Sequence, residues 1–352
     1  MQAFTFKGIP ARVVFGSGTV RQVRAEVERL GARRALVLAT PQQAAQAEAV
    51  GALIGDLSAG VFAEAAMHTP VETTERAMAR VAEVRADCTV AVGGGSTTGL
   101  GKAIALRTDL PQLAVPTTYA GSEMTDILGQ TEAGVKTTLR SPKVLPETVL
   151  YDVDLTLGLP RGLTGSSGVN AIAHSVEALY AGDCNPVIAV VAEEGIRALG
   201  RALPALMRAA DDATARSDAL YGAWLCGIAL GGAAMALHHK LCHTLGGAFD
   251  LPHAETHTIV LPHAAAYNAG AAPAAMARIA TALGATDGPR ALYDLTRAID
   301  APRSLRELGM PESGIDRAAV LAVQSAYANP APVTRDSIRG LIARAWAGEP
   351  PQ

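Results

Sequence analysis

Two patterns of apolar and polar positions divide this 352-residue chain. Up to about residue 155, short apolar runs alternate with stretches of helical periodicity. Ala35-Leu36-Val37-Leu38-Ala39 and Cys88-Thr89-Val90-Ala91-Val92 read as strands buried on both faces. Residues 60–65, 113–115 and 148–150 are shorter strand candidates, and helices are predicted over 19–30, 42–54, 71–86 and 98–106. Such alternation predicts a parallel sheet covered by helices on both sides. Pro160-Arg161-Gly162 marks a break. Beyond it run long Ala- and Leu-rich helical segments with almost no strand signal, punctuated by Pro186, Pro204, Pro252, Pro262 and Pro273. The pattern predicts an N-terminal α/β domain over 1–157 and an all-α C-terminal domain over 158–352.

Composition narrows the class. Hydrophobic residues make up 49% and charged residues 18%, enough apolar material for two cores and too little charge for disorder. A net charge of −3, with basic residues spread along the chain, excludes a nucleic-acid footprint. Cys88, Cys184, Cys226 and Cys242 show no CxxC spacing and read as isolated reduced thiols. The N-terminus has no basic stretch followed by an apolar one, so no signal peptide is expected. The longest apolar run, 223–237, reads as one buried helix rather than a membrane span. A cytoplasmic enzyme with no membrane partner is expected.

Candidate chemistry begins where the strand at 88–92 runs into Gly93-Gly94-Gly95-Ser96 and a helix follows. Glycines there let a ligand approach the backbone, and a helix start offers free N–H groups to a pyrophosphate. A ligand-free tight turn is the alternative, since the run is not GxGxxG. A second polar loop, 116–123, carries Thr117, Thr118, Tyr119 and Ser122 after another strand. Its hydroxyls suit phosphate or ribose, or ordinary turn capping. After the strand at 35–39 comes Thr40-Pro41-Gln42, with no acid to grip a ribose 2′-hydroxyl, so both NADH and NADPH are expected to bind.

Five of the eight histidines fall between 238 and 257. His239 and His243 are four apart, hence on one helix face, and Asn170 and His174 repeat that spacing. Gly246-Gly247 is read as a place of close approach for a helix or cofactor. Two chemistries fit: a zinc or iron site of converging imidazoles, or a metal-free site whose imidazoles donate hydrogen bonds and protons to a developing oxyanion. There is no HExxH and no GxSxG after a strand, which argues against a zinc protease and a serine hydrolase.

Gly93-Gly94-Gly95-Ser96 with Lys102, Pro116-Thr117-Thr118, His239-x3-His243-x-Leu-Gly, Pro252-His253 and Leu261-Pro262-His263 occur in that order. Together they resemble the iron-containing alcohol dehydrogenase superfamily, of dehydroquinate synthase-like fold. The resemblance implies a dinucleotide-binding α/β domain, an all-α domain and an active site in the cleft between them. It also implies metal ligands at His174, His239 and His253, with Asn170 where the family has Asp. Neutral Asn removes the anion that balances a divalent ion. The expectation is therefore catalysis without a tightly bound metal. Gly99 stands where the family commonly has Asp.

These two departures, with Thr117 to Thr125, look like the maleylacetate reductases. That resemblance implies a homodimer that reduces a small dicarboxylate, maleylacetate, to 3-oxoadipate in aromatic degradation. His243 and His253 are the expected oxyanion donor and proton relay, supported by His174 and His239. Tyr119, Lys240 and Lys136 are candidate substrate contacts, and Arg140 is expected with Lys136 on a loop. A metal-dependent alcohol or aldehyde dehydrogenase, a dehydroquinate synthase-like lyase and a non-catalytic nucleotide-binding protein remain as alternatives.

Overall fold

All four residues of the strand Ala35–Leu38 are buried, because the sheet that they enter carries helices on both faces. The computed structural model describes all residues except 1–3, 5, 7, 9, 10, 133 and 134, and only the backbone at 135 and 136. It divides into two units, Gly8–Gly158 and Leu159–Gln352.

The first unit contains β1 (Arg12–Phe15), α1 (Val23–Arg29), β2 (Ala35–Leu38), α2 (Ala44–Ile54), β3 (Ser58–Phe62), α3 (Val71–Val84), β4 (Cys88–Gly93), α4 (Gly95–Thr108), β5 (Gln112–Pro116), β6 (Ile127–Glu132), β7 (Val135–Arg140) and β8 (Thr148–Tyr151). Six strands form one parallel sheet in the order β1-β8-β5-β4-β2-β3. Side chains alternate across it. Ala35, Val37, Val90 and Val92 pack with Val27 of α1 and with Ala47 and Val50 of α2. Leu36 and Leu38 point the other way, onto Ala77 and Val81 of α3 and Leu100 and Ile104 of α4. Each such leucine contributes about 1.5–3 kcal/mol of burial.

The sequence pattern missed β1 and the antiparallel hairpin β6–β7. Their burial is partial, so they lack the continuous apolar run of a central strand. The hairpin also corrects the placement of Lys136 and Arg140, which lie on β7 rather than on a loop. Chain order reverses between β2 and β4: β2 leads outward to β3, and β4 leads the other way to β5. Ligands of such sheets bind beyond the carboxyl ends of the strands at that reversal.

The second unit contains α5 (Arg161–Tyr180), α6 (Pro186–Arg208), α7 (Ala213–Gly232), α8 (Leu237–Phe249), α9 (His253–Ala269), α10 (Pro273–Ala282), α11 (Gly288–Ala298), α12 (Gly314–Val323) and α13 (Arg335–Ala347), with no strand among the described residues. Asn185 caps α6 by accepting the N–H groups of Val187 and Ile188, and Pro186 opens that helix. Asp212 caps α7 in the same way. Helix α5 is buried at every position from Thr164 to Tyr180. Leu237, Leu241 and Leu245 of α8 form a core with Val260 of α9 and Ile338, Leu341 and Ile342 of α13.

Three expectations change here. Pro204 and Pro262 lie inside α6 and α9 rather than ending helices. Packing of these long buried elements outweighs the one hydrogen bond each proline removes. The run 223–237 is not one helix; α7 ends at Gly232, and α8 starts at Leu237 at an angle of 97° to it. Among the described residues no single helix is long and apolar enough to cross a membrane.

Helices α6 and α7 touch at glycine. A Cβ at Gly222 would lie 2.8 Å from Leu199 Cγ and 3.1 Å from the Gly195 carbonyl oxygen. Gly222→Val is therefore expected to lower stability by about 1–3 kcal/mol through overpacking. An unchanged thermal midpoint in calorimetry would show that the two helices do not meet there.

Candidate active site

The glycine run is shaped by what surrounds the end of β4. Gly93 has φ of +153°, and a Cβ on it would collide with Thr97 Oγ1 and lie 2.7 Å from Gln43 Oε1. A Cβ on Gly94 would sit 2.8 Å from Thr118 Oγ1. These two positions admit only glycine without rearrangement. Gly95 and Ser96 open α4 and are accessible to solvent. The first N–H groups of a helix have no partner within it, so this end offers them, with the positive end of the helix dipole, to an anion.

The neighbouring strand ends are tied across this turn. Thr40 Oγ1 donates to Gln43 Oε1 at 3.3 Å, and Gln43 Nε2 donates to Thr117 Oγ1 at 2.7 Å. Thr40, Gly93, Gly94, Thr117 and Thr118 thus come together at the reversal of strand order. Ser122 Oγ is buried without a hydrogen-bond partner, as is Thr97 Oγ1. Gly99, where the family commonly has Asp, faces Thr69: any Cβ there would collide with Thr69 Oγ1.

Lys102 holds the second loop in place, a role that sequence reasoning missed. Its Nζ donates to the carbonyl oxygens of Ser122 (2.5 Å), Thr125 (2.8 Å) and Ile127 (2.8 Å) and to Thr125 Oγ1 (3.0 Å). Burial pushes this ammonium down to about 7. Glu123, also buried and pushed up by burial, accepts a 2.7 Å hydrogen bond from the Tyr151 hydroxyl. Tyr119, a candidate substrate contact, is fully buried.

In the helical unit, α5, α8 and α9 bring six imidazoles together. Ring centroids are 5.2 Å apart for His174 and His239, 5.0 Å for His239 and His257, 4.3 Å for His253 and His257, and 6.2 Å for His243 and His253. His238 completes the set, with Nε2 2.9 Å from His257 Nδ1. Burial pushes His174 and His257 well below the ordinary imidazole range and His238 down to about 3.

Glu177, one turn beyond His174, organises this set. It is wholly buried and accepts the backbone N–H groups of Ala236 (2.9 Å) and His238 (2.7 Å). His239 Nδ1 lies 2.6 Å from its Oε2. An ionised carboxylate only accepts, so Nδ1 carries the proton and His239 presents Nε2 on its far side. Burial alone would raise Glu177, but its hydrogen bond to His239 and its donors hold it at about 2. No motif marked Glu177; the only signal was its place three residues after His174 on the same helix.

Other candidates separate. Lys240 reaches over the Tyr327 ring, with Nζ 6.0 Å from its centroid. Arg140 pairs with Asp126 at 2.9 Å. The side chain of Lys136 lies outside the described residues. Gly247 has nothing within 4 Å of a Cβ, and Gly246 has only the Leu251 carbonyl at 3.7 Å. No other helix therefore approaches either glycine closely.

Residues 10–153 match the iron-containing alcohol dehydrogenase family, and residues 164–346 match the C-terminal region of the Fe-containing alcohol dehydrogenases. The chain belongs to this family. It is 57% identical to a maleylacetate reductase of Burkholderia cepacia over 351 residues, covering 100% of both chains. Crystal structures of maleylacetate reductases from Agrobacterium tumefaciens and Rhizobium sp. strain MTP-10005 superpose with TM-scores of 0.96 over 100% of both chains, at 54% and 55% identity.

The family name raises the question of a metal. Asn170 Oδ1, His174 Nδ1 and His239 Nε2 are buried without hydrogen-bond partners, so donors suited to an ion are present at the expected place. They fit in kind and in number, with His253 as the fourth. They bring no anion of their own; the anion beside them is Glu177, behind His239 at 2.6 Å from its Nδ1. His238, Cys242 and His257 also bring ligand atoms within 4.8 Å of one another. Two nitrogen ligands of a tetrahedral ion stand about 3.3 Å apart, whereas the His238 and His257 nitrogens, at 2.9 Å, share a proton.

Two substitutions test this geometry. Gly94→Val is expected to weaken NADH binding at least about tenfold, or 1.4 kcal/mol, in fluorescence titration. Glu177→Gln is expected to lower turnover about 10–100-fold, as loss of an orienting partner does. Normal kcat in that variant would show that His239 needs no carboxylate.

Proposed function

We propose that this chain is an NAD(P)H-dependent oxidoreductase that reduces the carbon–carbon double bond of maleylacetate, giving 3-oxoadipate. The observation that carries this reading is the full-length identity, at 57%, to a maleylacetate reductase. The asparagine-for-aspartate change beside the histidine cluster supports it from the chemistry.

Bound NAD(P)H supplies a hydride to the alkene carbon β to the ketone and leaves as NAD(P)+. The alkene electrons then move onto the ketone oxygen as an enolate, and a proton on the α carbon completes the product. The groups of this chain serve each part. Gly93 to Ser96, with Thr40, Thr117, Thr118 and Ser122, hold the pyrophosphate and ribose. No acid follows β2, so both NADH and NADPH are accepted. His243 and His253, with ring planes 22° apart, stand as hydrogen-bond donor to the enolate and as proton relay. Glu177 fixes the tautomer of His239 and supports any positive charge that this imidazole gains.

A resident metal, held by His174, His239, His253 and Asn170, would act as a Lewis acid on the ketone oxygen. We read the site as working without one. None of these four donors is an anion, and the Glu177 carboxylate behind His239 is already engaged by its own hydrogen-bond donors, while the imidazoles supply hydrogen-bond donors.

The test is NADH absorbance followed with maleylacetate against simple alcohols and aldehydes. Rapid oxidation of NADH with maleylacetate alone is expected. Turnover confined to alcohols and aldehydes would replace this reading with an alcohol dehydrogenase. Elemental analysis should give well under one iron or zinc per chain, with activity kept after chelation. Stoichiometric metal with chelator-sensitive turnover would reverse the metal-free reading.

A further inference from the structure

A recess opens on the helical unit where α9, α11 and the segment after α11 meet. His263 of α9, Tyr293 and Arg297 of α11, and Arg303 stand in its wall. The reduction proposed above uses none of these groups. Ile259 and Pro262 also line the recess. With 3.6 residues per turn they stand on the side of α9 opposite to His253 and His257. The recess therefore lies across the helix from the imidazole cluster.

Its chemistry is rich in donors. Arg297 and Arg303 each bring a guanidinium that is charged at every ordinary pH. Among the described residues neither forms an ion pair. Nearby acids are engaged elsewhere: Asp294 pairs with Arg290 at 2.9 Å, and Glu307 accepts the backbone N–H of Arg303 at 2.9 Å. Asp300, between the two arginines in the chain, is exposed. Arg297 is steadied by Tyr293, with its guanidinium carbon 5.4 Å from the ring centroid. Two hydroxyls of the recess are spent on their own helices. Thr258 donates to the Ala254 carbonyl at 2.9 Å, and Thr296 to the Tyr293 carbonyl at 2.7 Å. The arginines and His263 remain as donors.

His263 is the second observation. It is only 5% exposed, and its Nδ1 is buried with no hydrogen-bond partner. A buried polar nitrogen left so is costly, and it persists where a ligand completes it. Burial, with Arg344 nearby, pushes this imidazole down to about 4, so the ring is neutral. A neutral ring carries its one proton on the nitrogen that meets an acceptor. Two guanidinium forks beside such a ring match the oxygens of a carboxylate or a phosphate. A cation would be repelled, and an apolar ligand would strip water from the arginines without replacing it.

We propose that this recess is an anion site of the helical unit, which holds one phosphate or carboxylate group between Arg297, Arg303 and His263. The bound group ties the segment at 302–303 to α9 and α11. The site stands whichever substrate the enzyme reduces.

The test is isothermal titration calorimetry on the full-length protein saturated with NADH, so that the dinucleotide site is filled. Inorganic phosphate and succinate are the probes, each at ionic strength held constant with sodium chloride. Saturable binding of at least one probe in the millimolar range is expected. Arg297→Gln and Arg303→Gln should each weaken it at least about tenfold, or 1.4 kcal/mol. Arg33→Gln, an equal loss of charge on the α/β unit, should leave it unchanged. Binding of phosphate alone assigns the site to phosphate groups, and binding of succinate alone to carboxylates; either supports the proposal when both arginine variants lose it. Equal affinity in wild type and in the two recess variants places the anion elsewhere and overturns the proposal. So does the absence of saturable binding of both probes at millimolar concentrations.

Discussion

The buried carboxylate of Glu177 is the interaction on which the helical unit's polar interior depends. An isolated carboxylate in such a place would take up a proton. It stays ionised because two backbone N–H groups at the start of α8 and the His239 ring donate to it at 2.6–2.9 Å. One side chain of α5 therefore anchors the first turn of α8 and fixes the proton on His239. Removing the anion would loosen the helix start and free the ring together.

The same logic runs through the other imidazoles. Burial keeps His174, His238 and His257 neutral at ordinary pH, so each presents one donor and one acceptor rather than a positive charge. Each stands 4.3–5.3 Å from a neighbouring ring, stacked for His174 against His239 and edge-on or tilted for the others. A cluster of cations at these distances would repel itself; a cluster of neutral rings is a set of directional hydrogen-bonding groups. Asn170 belongs to this scheme. With Asp there, the set would be anionic and suited to a divalent ion. With Asn, the buried anion of the cluster is Glu177, behind His239.

The α/β unit meets an analogous constraint with backbone instead of side chains. At the end of β4, two glycines pass Thr97, Gln43 and Thr118 too closely for any Cβ. Lys102 gathers three carbonyl oxygens of the following loop around one ammonium. The helix that starts at the glycine turn thereby also holds the loop that carries Ser122.

Much of this was legible in the chain alone. Continuous apolar runs at β2 and β4 could only be central strands of a sheet covered on both faces, and Ala- and Leu-rich periodicity after residue 160 could only be packed helices. The glycine run and the histidine spacing depend on local chemistry, and they pointed to cofactor and site before any contact was known. The hairpin β6–β7 was not legible, because half-buried strands carry no long apolar signal. Nor was the single role of Glu177: its partners on α8 lie about 60 residues away in the chain, and no local pattern encodes a hydrogen bond between helices. Which nitrogen of His239 carries the proton was likewise decided by the partner behind the ring, the Glu177 carboxylate. The sequence by itself determined the elements and the chemistry available; the tertiary structure decided where the protons sit, because a proton's place depends on groups that only folding brings within 3 Å.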